Sequence, residues 1–209
     1  MKILYVLPLF LGACSIIPSP GETPTRYFLE KITFAGKEKD EKKHSSSKQI
    51  IIDTPVIYAP LDVNRVAVLP EKNQLDYYAN MEWSDRLSIL IRESLVQSLQ
   101  DSHFFAGVSR LKDGINPDQI LKVDVRKFYI LRTKEKTKKN EKNEKNSAVA
   151  SVEFFVTLVD ATSRHILGDK TFEAQIPLKE ESKEGISEGL NEANKRVLID
   201  VINWLENFN

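Results

Sequence analysis

The amino-acid sequence predicts an α/β fold: a single domain in which two long amphipathic helices cover a mixed, largely antiparallel sheet. Three observations support this prediction. The 209 residues give room for one ordinary domain. Two segments place apolar residues at helical spacing, and several others have the alternation or the short β-branched runs of strands. Elements of both kinds bury their apolar sides by packing in layers.

The two helical segments have clear apolar faces. The first is predicted to begin with Ser84 as N-cap and Asp85 in its first turn, and to end near Gln100. Its apolar face holds Leu87, Leu90, Ile91, Leu95 and Leu99, with Ser94 and Ser98 on the same face, where small side chains permit close packing. The second is predicted from about Lys183 to Phe208, with a stripe of Ile186, Leu190, Ala193, Val197, Val201, Leu205 and Phe208.

The strand pattern divides into short and long segments. A first strand is predicted over residues 27–34, and short strands over residues 50–52, 56–58 and 65–69, with prolines between them. Longer alternating segments cover residues 120–131, 150–158 and 164–176 and predict three consecutive antiparallel strands.

Two charged stretches, residues 36–48 and 132–147, predict solvated loops within a domain that spans residues 26–209. Residues 132–146 carry seven Lys or Arg against three Glu, so this hairpin tip also has the charge to contact lipid phosphates or an acidic partner. A purely solvated loop is the simpler interpretation of the same residues.

The N-terminus has the features of a lipoprotein signal peptide. Lys2 precedes an apolar run over residues 3–11, which would reach roughly 13 Å as a helix and cannot cross a bilayer core of about 30 Å. Leu11, Gly12, Ala13 and Cys14 then match the lipobox that lipoprotein signal peptidase recognises. Residues 1–13 are therefore predicted to be removed. The alternative is a buried cysteine in an apolar N-terminal element.

Cys14 is the predicted lipid-attachment residue, carrying a diacylglyceryl group and an N-linked acyl chain of the palmitate type. More than one acyl chain makes membrane attachment persistent. Residues 14–25 contain three prolines and predict an extended tether. Ser15 stands where Asp would, by the sorting rule of enteric bacteria, retain the protein at the inner membrane, so we expect the outer membrane, facing the periplasm.

The remaining composition excludes several classes of function. Lys plus Arg and Asp plus Glu are each 30, which leaves no net charge to attract nucleic acid. The one cysteine excludes a disulfide framework and a zinc site built on several thiolates. The three histidines, His44, His103 and His165, lack metal-ligand spacing, and no nucleophile elbow or phosphate-binding loop occurs. We therefore predict a protein that is not an enzyme and that holds no metal or cofactor besides its covalent lipid.

An aromatic cluster precedes the first helix. Tyr77, Tyr78 and Trp83, with Met81 between them, suit a partner interface. The same side chains also suit a hydrophobic cover over the start of the helix.

The order of these motifs resembles that of the ABC-type transport auxiliary lipoprotein family. The resemblance lies in residues 62–70 (DVNRVAVLP), 75–78 (LDYY), 83–87 (WSDRL), 95–99 (LVQSL) and 124–128 (DVRKF), between a lipobox with a first strand and a closing helix. Most of the mature chain is covered, although the charged inserts after Phe34 and Leu131 exceed those of shorter relatives.

The resemblance implies a periplasmic component of a transporter that moves phospholipids or other hydrophobic molecules between the inner and outer membranes. It also implies an ATPase, a permease and an MCE-domain protein as partners, and an α/β fold with a mixed sheet. A structural or assembly lipoprotein that supports an outer-membrane protein is the alternative. The transported substrate, direct lipid binding by this domain and homo-oligomerisation are left open by the sequence.

Overall fold

A computed structural model describes residues 23–32, 46–70, 73–135 and 145–208. Within these ranges the chain forms one mixed α/β domain with nine strands and two helices. The strands are β1 (Thr25–Tyr27), β2 (Gln49–Ile52), β3 (Val56–Ile57), β4 (Arg65–Leu69), β5 (Asp76–Trp83), β6 (Gly107–Arg110), β7 (Gln119–Glu135), β8 (Lys145–Asp160) and β9 (Ile166–Pro177). The helices are α1 (Leu87–Ser102) and α2 (Lys183–Leu205), and single 3-10 turns cover Leu111–Asp113 and Glu206–Phe208.

The 17-residue strand β7 organises the sheet. One of its edges pairs with β8 from Gln119 to Glu135. The other edge is shared in succession by β2, β3 and β4. We call the end of the sheet where β7 begins the turn end, and the end where β7 finishes and β8 begins the hairpin end.

The predicted dominance of antiparallel pairing is wrong. Five of the eight strand pairings are parallel: β1 with β5, β2 with β6, and β2, β3 and β4 with β7. The three antiparallel pairings are β4 with β5 and the predicted succession β7, β8, β9. The short early strands meet β7 across long connections, which permit parallel pairing, whereas β7, β8 and β9 follow one another as hairpins.

The core lies between the helices and one face of the sheet. In β7 and β8 the predicted alternation is confirmed, because Leu121, Val123, Val125, Val152, Phe154, Val156 and Leu158 are all buried in this core. The prediction of two long amphipathic helices holds less well. Helix α2 has 23 residues and α1 only 16, and the buried face of α1 mixes its apolar residues with Ser88, Ser94, Ser98 and Ser102.

Helix α1 begins at Leu87, three residues after the predicted N-cap. Arg86 occupies the N-cap position and supplies no side-chain cap. Instead, the Asp62 carboxylate accepts a hydrogen bond from the Ser88 backbone N–H at 3.0 Å and pairs with the Arg86 guanidinium. Burial raises the pKa of Asp62, but the hydrogen bonds from Ser88 and Arg86 outweigh it and lower the pKa below its ordinary value. The anionic cap therefore comes from 26 residues upstream.

The other face of the sheet is largely polar. Lys127 on β7 bonds Glu153 on β8 at 2.5 Å and Glu173 on β9 at 2.9 Å, and Arg126 lies 4.4 Å from the Phe155 ring centroid. Hydrogen bonding to Glu153 raises the pKa of Lys127 despite partial burial. This row of alternating charges neutralises itself across three strands.

Several element boundaries differ from those predicted. Strand β1 ends at Tyr27, so residues 28–32 of the predicted first strand lie outside the sheet, and residues 33 and 34 lie outside the described ranges. The aromatic segment before α1 is itself a strand, β5. Strands β7 and β8 reach Glu135 and Lys145, so residues 132–135 and 145–147 of the predicted loop belong to strands, and residues 136–144 lie outside the described ranges. Residues 36–45 of the other charged loop lie outside the described ranges.

Candidate interaction surfaces

The predicted lipidation residues Leu11, Gly12, Ala13 and Cys14 lie outside the described residues, as does the tether before Thr23. Strand β1 shows where that tether meets the domain. It runs parallel to β5, which is antiparallel to β4, and β4 is parallel to β7. Hence β1 runs in the direction from the hairpin end toward the turn end, and Thr25 is its residue nearer the hairpin end.

Residues 28–32, which we call the strap, lie between α1 and α2 and bond side chains of both helices. The Asn191 side chain of α2 accepts a hydrogen bond from the Glu30 backbone N–H at 2.8 Å and donates one to the Phe28 carbonyl at 3.2 Å. One side-chain amide thus bonds the strap backbone as a neighbouring strand would.

Helix α1 holds the other side of the strap through its serines. The Ser94 hydroxyl donates to the Glu30 carbonyl at 3.1 Å, and the Ser98 hydroxyl accepts from the Ile32 backbone N–H at 3.0 Å. Lys31 pairs with Asp101 at 2.9 Å, and the Ile32 side chain is buried in the core. Ser94 and Ser98 therefore do more than permit close packing: they satisfy backbone groups of a segment distant in sequence.

A cleft of about 630 Å³ lies beside the strap. Its floor includes Leu178, Gly185 and Gly189, and its walls carry charged residues: Glu30, Lys31, Lys179, Glu180, Glu184, Glu188, Glu192 and Lys195. A Cβ at Gly189 would lie 2.3 Å from Leu178 Cδ2, and one at Gly185 would lie 2.5 Å from the Glu180 carbonyl oxygen. The glycines thus let the connection from β9 cross close over α2, beside an open cleft whose rim carries charged side chains.

Tyr78, one of the predicted interface residues, is half-buried and its hydroxyl is bonded internally. It donates to Glu181, which Arg132 also holds at 2.6 Å. Burial, and then the hydrogen bond to Glu181, raise the pKa of Tyr78 above its ordinary value. The group fastens the start of α2 to β5 and β7, close to the Ser182 hydroxyl that caps α2.

Tyr77 and Trp83 lie in different environments. Tyr77 is half-exposed, donates its hydroxyl to the Pro60 carbonyl at 2.7 Å and stacks under Arg65. Trp83 is only 2% exposed and packs edge-on against Phe128 in the core. Trp83 thus occupies the position expected of a cover over the helix start. The interface role of these residues remains a prediction, with Tyr77 and Tyr78 as the two that offer surface.

Other candidate chemistry is sparse in the part of the chain that the structure describes. His103 ends α1 in the left-handed conformation and His165 lies in an exposed turn, while His44 falls outside the described ranges. In these ranges no group of three or more His, Cys, Asp or Glu could hold a metal ion. Nor do they contain a helix of sufficient length and apolar character to span a bilayer.

Comparison with known proteins identifies a family and a shared fold. A family model described as the ABC-type transport auxiliary lipoprotein component matches residues 31–201, well over half of the chain. A crystal structure of a Xanthomonas campestris protein assigned to DUF330 is 18% identical, with a TM-score of 0.72, covering 88% of this chain and 96% of that one. A crystal structure of another protein, described only as uncharacterized, is 12% identical, with a TM-score of 0.65 and coverages of 88% and 99%. A search of curated proteins gave no match.

Proposed function

Since the chain belongs to the ABC-type transport auxiliary lipoprotein family, we propose that it is the lipid-anchored, non-catalytic periplasmic component of a transporter for phospholipids or other hydrophobic molecules. In this proposal the transporter moves its substrate between the inner and outer membranes. The protein is anchored through acylated Cys14 in the outer membrane and faces the periplasm. Its partners are an MCE-domain protein, a permease and an ATPase.

The observation that supports this proposal is the extent of the family match. Residues 31–201 include the end of the strap, strands β2 to β9, α1 and most of α2, so the matched unit is the folded domain itself. The predicted lipobox, Leu11 to Cys14, precedes that unit in the sequence, and a lipid anchor there agrees with the word lipoprotein in the family description.

A non-catalytic role is consistent with the chemistry of the described surfaces. Charged side chains make up much of the lining of the cleft beside the strap. Tyr78, Glu181 and Arg132 are bonded to one another. Such groups suit docking and positioning. Tyr77 and Tyr78 are the proposed contacts for a partner, because each combines exposed ring surface with a fixed hydroxyl.

The proposal is tested by isolating the protein with its partners from native membranes. A C-terminally tagged full-length chain, cross-linked in cells and solubilised in mild detergent, is expected to recover an MCE-domain protein, a permease and an ATPase by mass spectrometry. The Cys14→Ser variant is the matched control and should lose the outer-membrane fraction. Recovery of an outer-membrane protein without any transporter subunit would contradict the proposal and favour the assembly role. Transfer of labelled phospholipid between membranes, with and without the protein, tests the substrate class.

A further inference from the structure

Strand β9 forms a long outer edge of the sheet. Among the described strands it pairs with β8 alone, and from Pro177 back to Gly168 the pairing has no register shift. Just beyond this ladder, the Leu178 backbone N–H donates to the Ala148 carbonyl at 2.8 Å. Alternate residues of an antiparallel strand direct their backbone groups at the same neighbour. Even-numbered residues from 170 to 176 therefore face β8, as Leu178 does, and the odd-numbered residues from 169 to 177 direct their backbone groups outward.

The outward backbone groups of residues 169–175 have no hydrogen-bond partner in the part of the chain that the structure describes. They form a row about 20 Å long. The other outer edges are shorter or covered. On β6, Gln100 donates to the Val108 carbonyl at 3.1 Å and Asp113 accepts from the Arg110 N–H at 2.7 Å, while β1 and β3 have only three and two residues. Strand β9 is thus the edge that can accept a further strand.

A depression of about 530 Å³ lies beside this edge, between β9 and α2. Phe172 and Trp204 contribute ring surface to it, and their centroids lie 5.7 Å apart. Asp200, Asn203 and Asn207 line its helix side. Because the side chains of a strand alternate between the two faces of a sheet, every second side chain of an added strand would enter the depression. The others would lie on the polar face.

The charges on the polar face favour a basic partner. The outward residues there are Asp169, Thr171, Glu173 and Gln175, which supply two carboxylates and no base. Glu173 pairs with Lys127 at 2.9 Å, whereas Asp169 has no ion pair within the described ranges. Two β9 strands joined edge to edge would bring the carboxylates of both copies side by side, and like charges destabilise cross-strand pairing. A different chain with Lys or Arg on this face is the better match.

Lys170 restricts the other face of an added strand. Its side chain is exposed at the edge, with Nζ 5.3 Å from the Phe172 ring centroid, and it lines the depression. A lysine at a sheet edge opposes unselective pairing. The side chains that enter the depression therefore have to be apolar and not basic.

We propose that the β9 edge is a docking site for an extended segment of another protein, which adds to the sheet as a further strand. In that segment basic residues over Asp169 and Glu173 alternate with apolar residues beside Trp204. The backbone ladder supplies affinity, and the two rows of side chains supply selectivity. The site belongs to the folded domain, so it depends neither on the lipid anchor nor on the transport role.

The probe is an acetylated nonapeptide in which valine and lysine alternate, and its control replaces every lysine by glutamate. Full-length protein in non-ionic detergent is titrated with each peptide, and the fluorescence of Trp204 in the depression reports binding. We expect the lysine peptide to bind about tenfold more tightly than the glutamate peptide. Asp169→Lys should reverse this preference.

Thr171→Pro tests the backbone ladder, because it removes one outward N–H. Pro177 already occupies an outward position, so a proline at residue 171 removes no bond to β8. Thr171→Val is the matched control and keeps the N–H. We expect Thr171→Pro to weaken binding of the lysine peptide by about tenfold, and Thr171→Val to stay within about threefold of wild type.

Hydrogen exchange, resolved to single amides by NMR, identifies the mode of binding in the wild-type protein. In the free protein the outward amides of residues 169, 171, 173 and 175 should exchange faster than those of residues 170, 172 and 174. A saturating amount of the lysine peptide should slow the outward amides by about tenfold and leave the others unchanged.

Each outcome supports or overturns the proposal. No binding at about 1 mM lysine peptide overturns the site. Binding without alternating protection, or equal affinity of folded Thr171→Pro and Thr171→Val, overturns strand addition. If Thr171→Pro fails to fold, the protection pattern and Asp169→Lys decide. A dimer of the free protein that Thr171→Pro dissociates in sedimentation overturns the choice of partner. All of these results leave the transport role standing, because recovery of transporter subunits tests that role separately.

Discussion

Replacing Asn194 by leucine should stabilise the protein. Asn194 lies on the buried side of α2 with 0% exposure, and within the described residues neither its Nδ2 nor its Oδ1 has a hydrogen-bond partner. Burying such an unpaired amide costs about 1–3 kcal/mol by mutational measurements. Leucine has the same number and branching of side-chain heavy atoms, and position 194 lies between Leu190 and Leu198, both buried in the same core.

The expected gain from Asn194→Leu is about 1–3 kcal/mol, which corresponds to about 2–4 °C in Tm for each kcal/mol in a domain of this size. The assay is urea unfolding at neutral pH, followed by the fluorescence of Trp83 and Trp204, with the midpoint expected to rise and the m-value to stay constant. Tryptophan fluorescence is suited to this because Trp83 is buried in the core and Trp204 packs against Phe172.

Asn191→Leu is the matched control, since it makes the same substitution one helical turn earlier. Asn191 bonds the strap twice, so its loss should destabilise the domain by about 1–2 kcal/mol. If the two variants change the free energy of unfolding in opposite directions, the difference between an unpaired and a hydrogen-bonded amide on the same helix is demonstrated. The reasoning is refuted if Asn194→Leu lowers the free energy of unfolding by more than about 1 kcal/mol.

Four further substitutions test the contacts that hold the helices and the core. Asp62→Ala should lower the free energy of unfolding by about 1–2 kcal/mol at pH 7, because it uncaps α1. Since the fold lowers the pKa of Asp62, the difference in free energy between wild type and variant should be full above about pH 4 and should narrow as the pH falls below that value. A difference that is independent of pH in urea titrations would contradict this. Gly185→Ala should destabilise by about 1–3 kcal/mol, because its Cβ meets a backbone oxygen at 2.5 Å, whereas Gly189→Ala meets a movable side chain and should stay within about 1 kcal/mol of wild type in thermal melts. Trp83→Ala should cost about 3–5 kcal/mol through the cavity it leaves, and a smaller loss by calorimetry would show that Trp83 is not a core residue.

Local sequence patterns predict those elements whose own residues alternate or repeat with the period of a strand or a helix. The alternation in β7 and β8 and the stripe of α2 survive in the structure because each reports one buried face. Strand β5 has no regular alternation: Asn80 adopts a positive φ of 54°, and the pairing with β4 shifts register there. The sequence of that segment therefore indicates an aromatic cluster and gives no strand signal.

The features that sequence reasoning missed depend on contacts between distant residues. Ser84 has the chemistry of an N-cap, but the Asp62 carboxylate accepts the hydrogen bond from the Ser88 backbone N–H at the start of α1. Ser94 and Ser98 looked like packing positions, and their partner is a segment 64 or 66 residues away. The polar residues on the predicted apolar face of α1 carry a signal, because buried hydroxyls require partners. The identity of those partners follows only from the topology.

The arrangement of strands around β7 also determines when the chain can complete its fold. Strands β2 and β3, within residues 49–57, pair with β6 and β7 in the sheet. Gln49 precedes its pairing partner Gly107 by about sixty residues in the sequence. Any process that delivers the polypeptide from its N-terminus, whether the ribosome or a translocation channel, therefore releases these apolar strands before their neighbours exist. A holding chaperone that shields residues 49–57 during this interval would prevent them from aggregating.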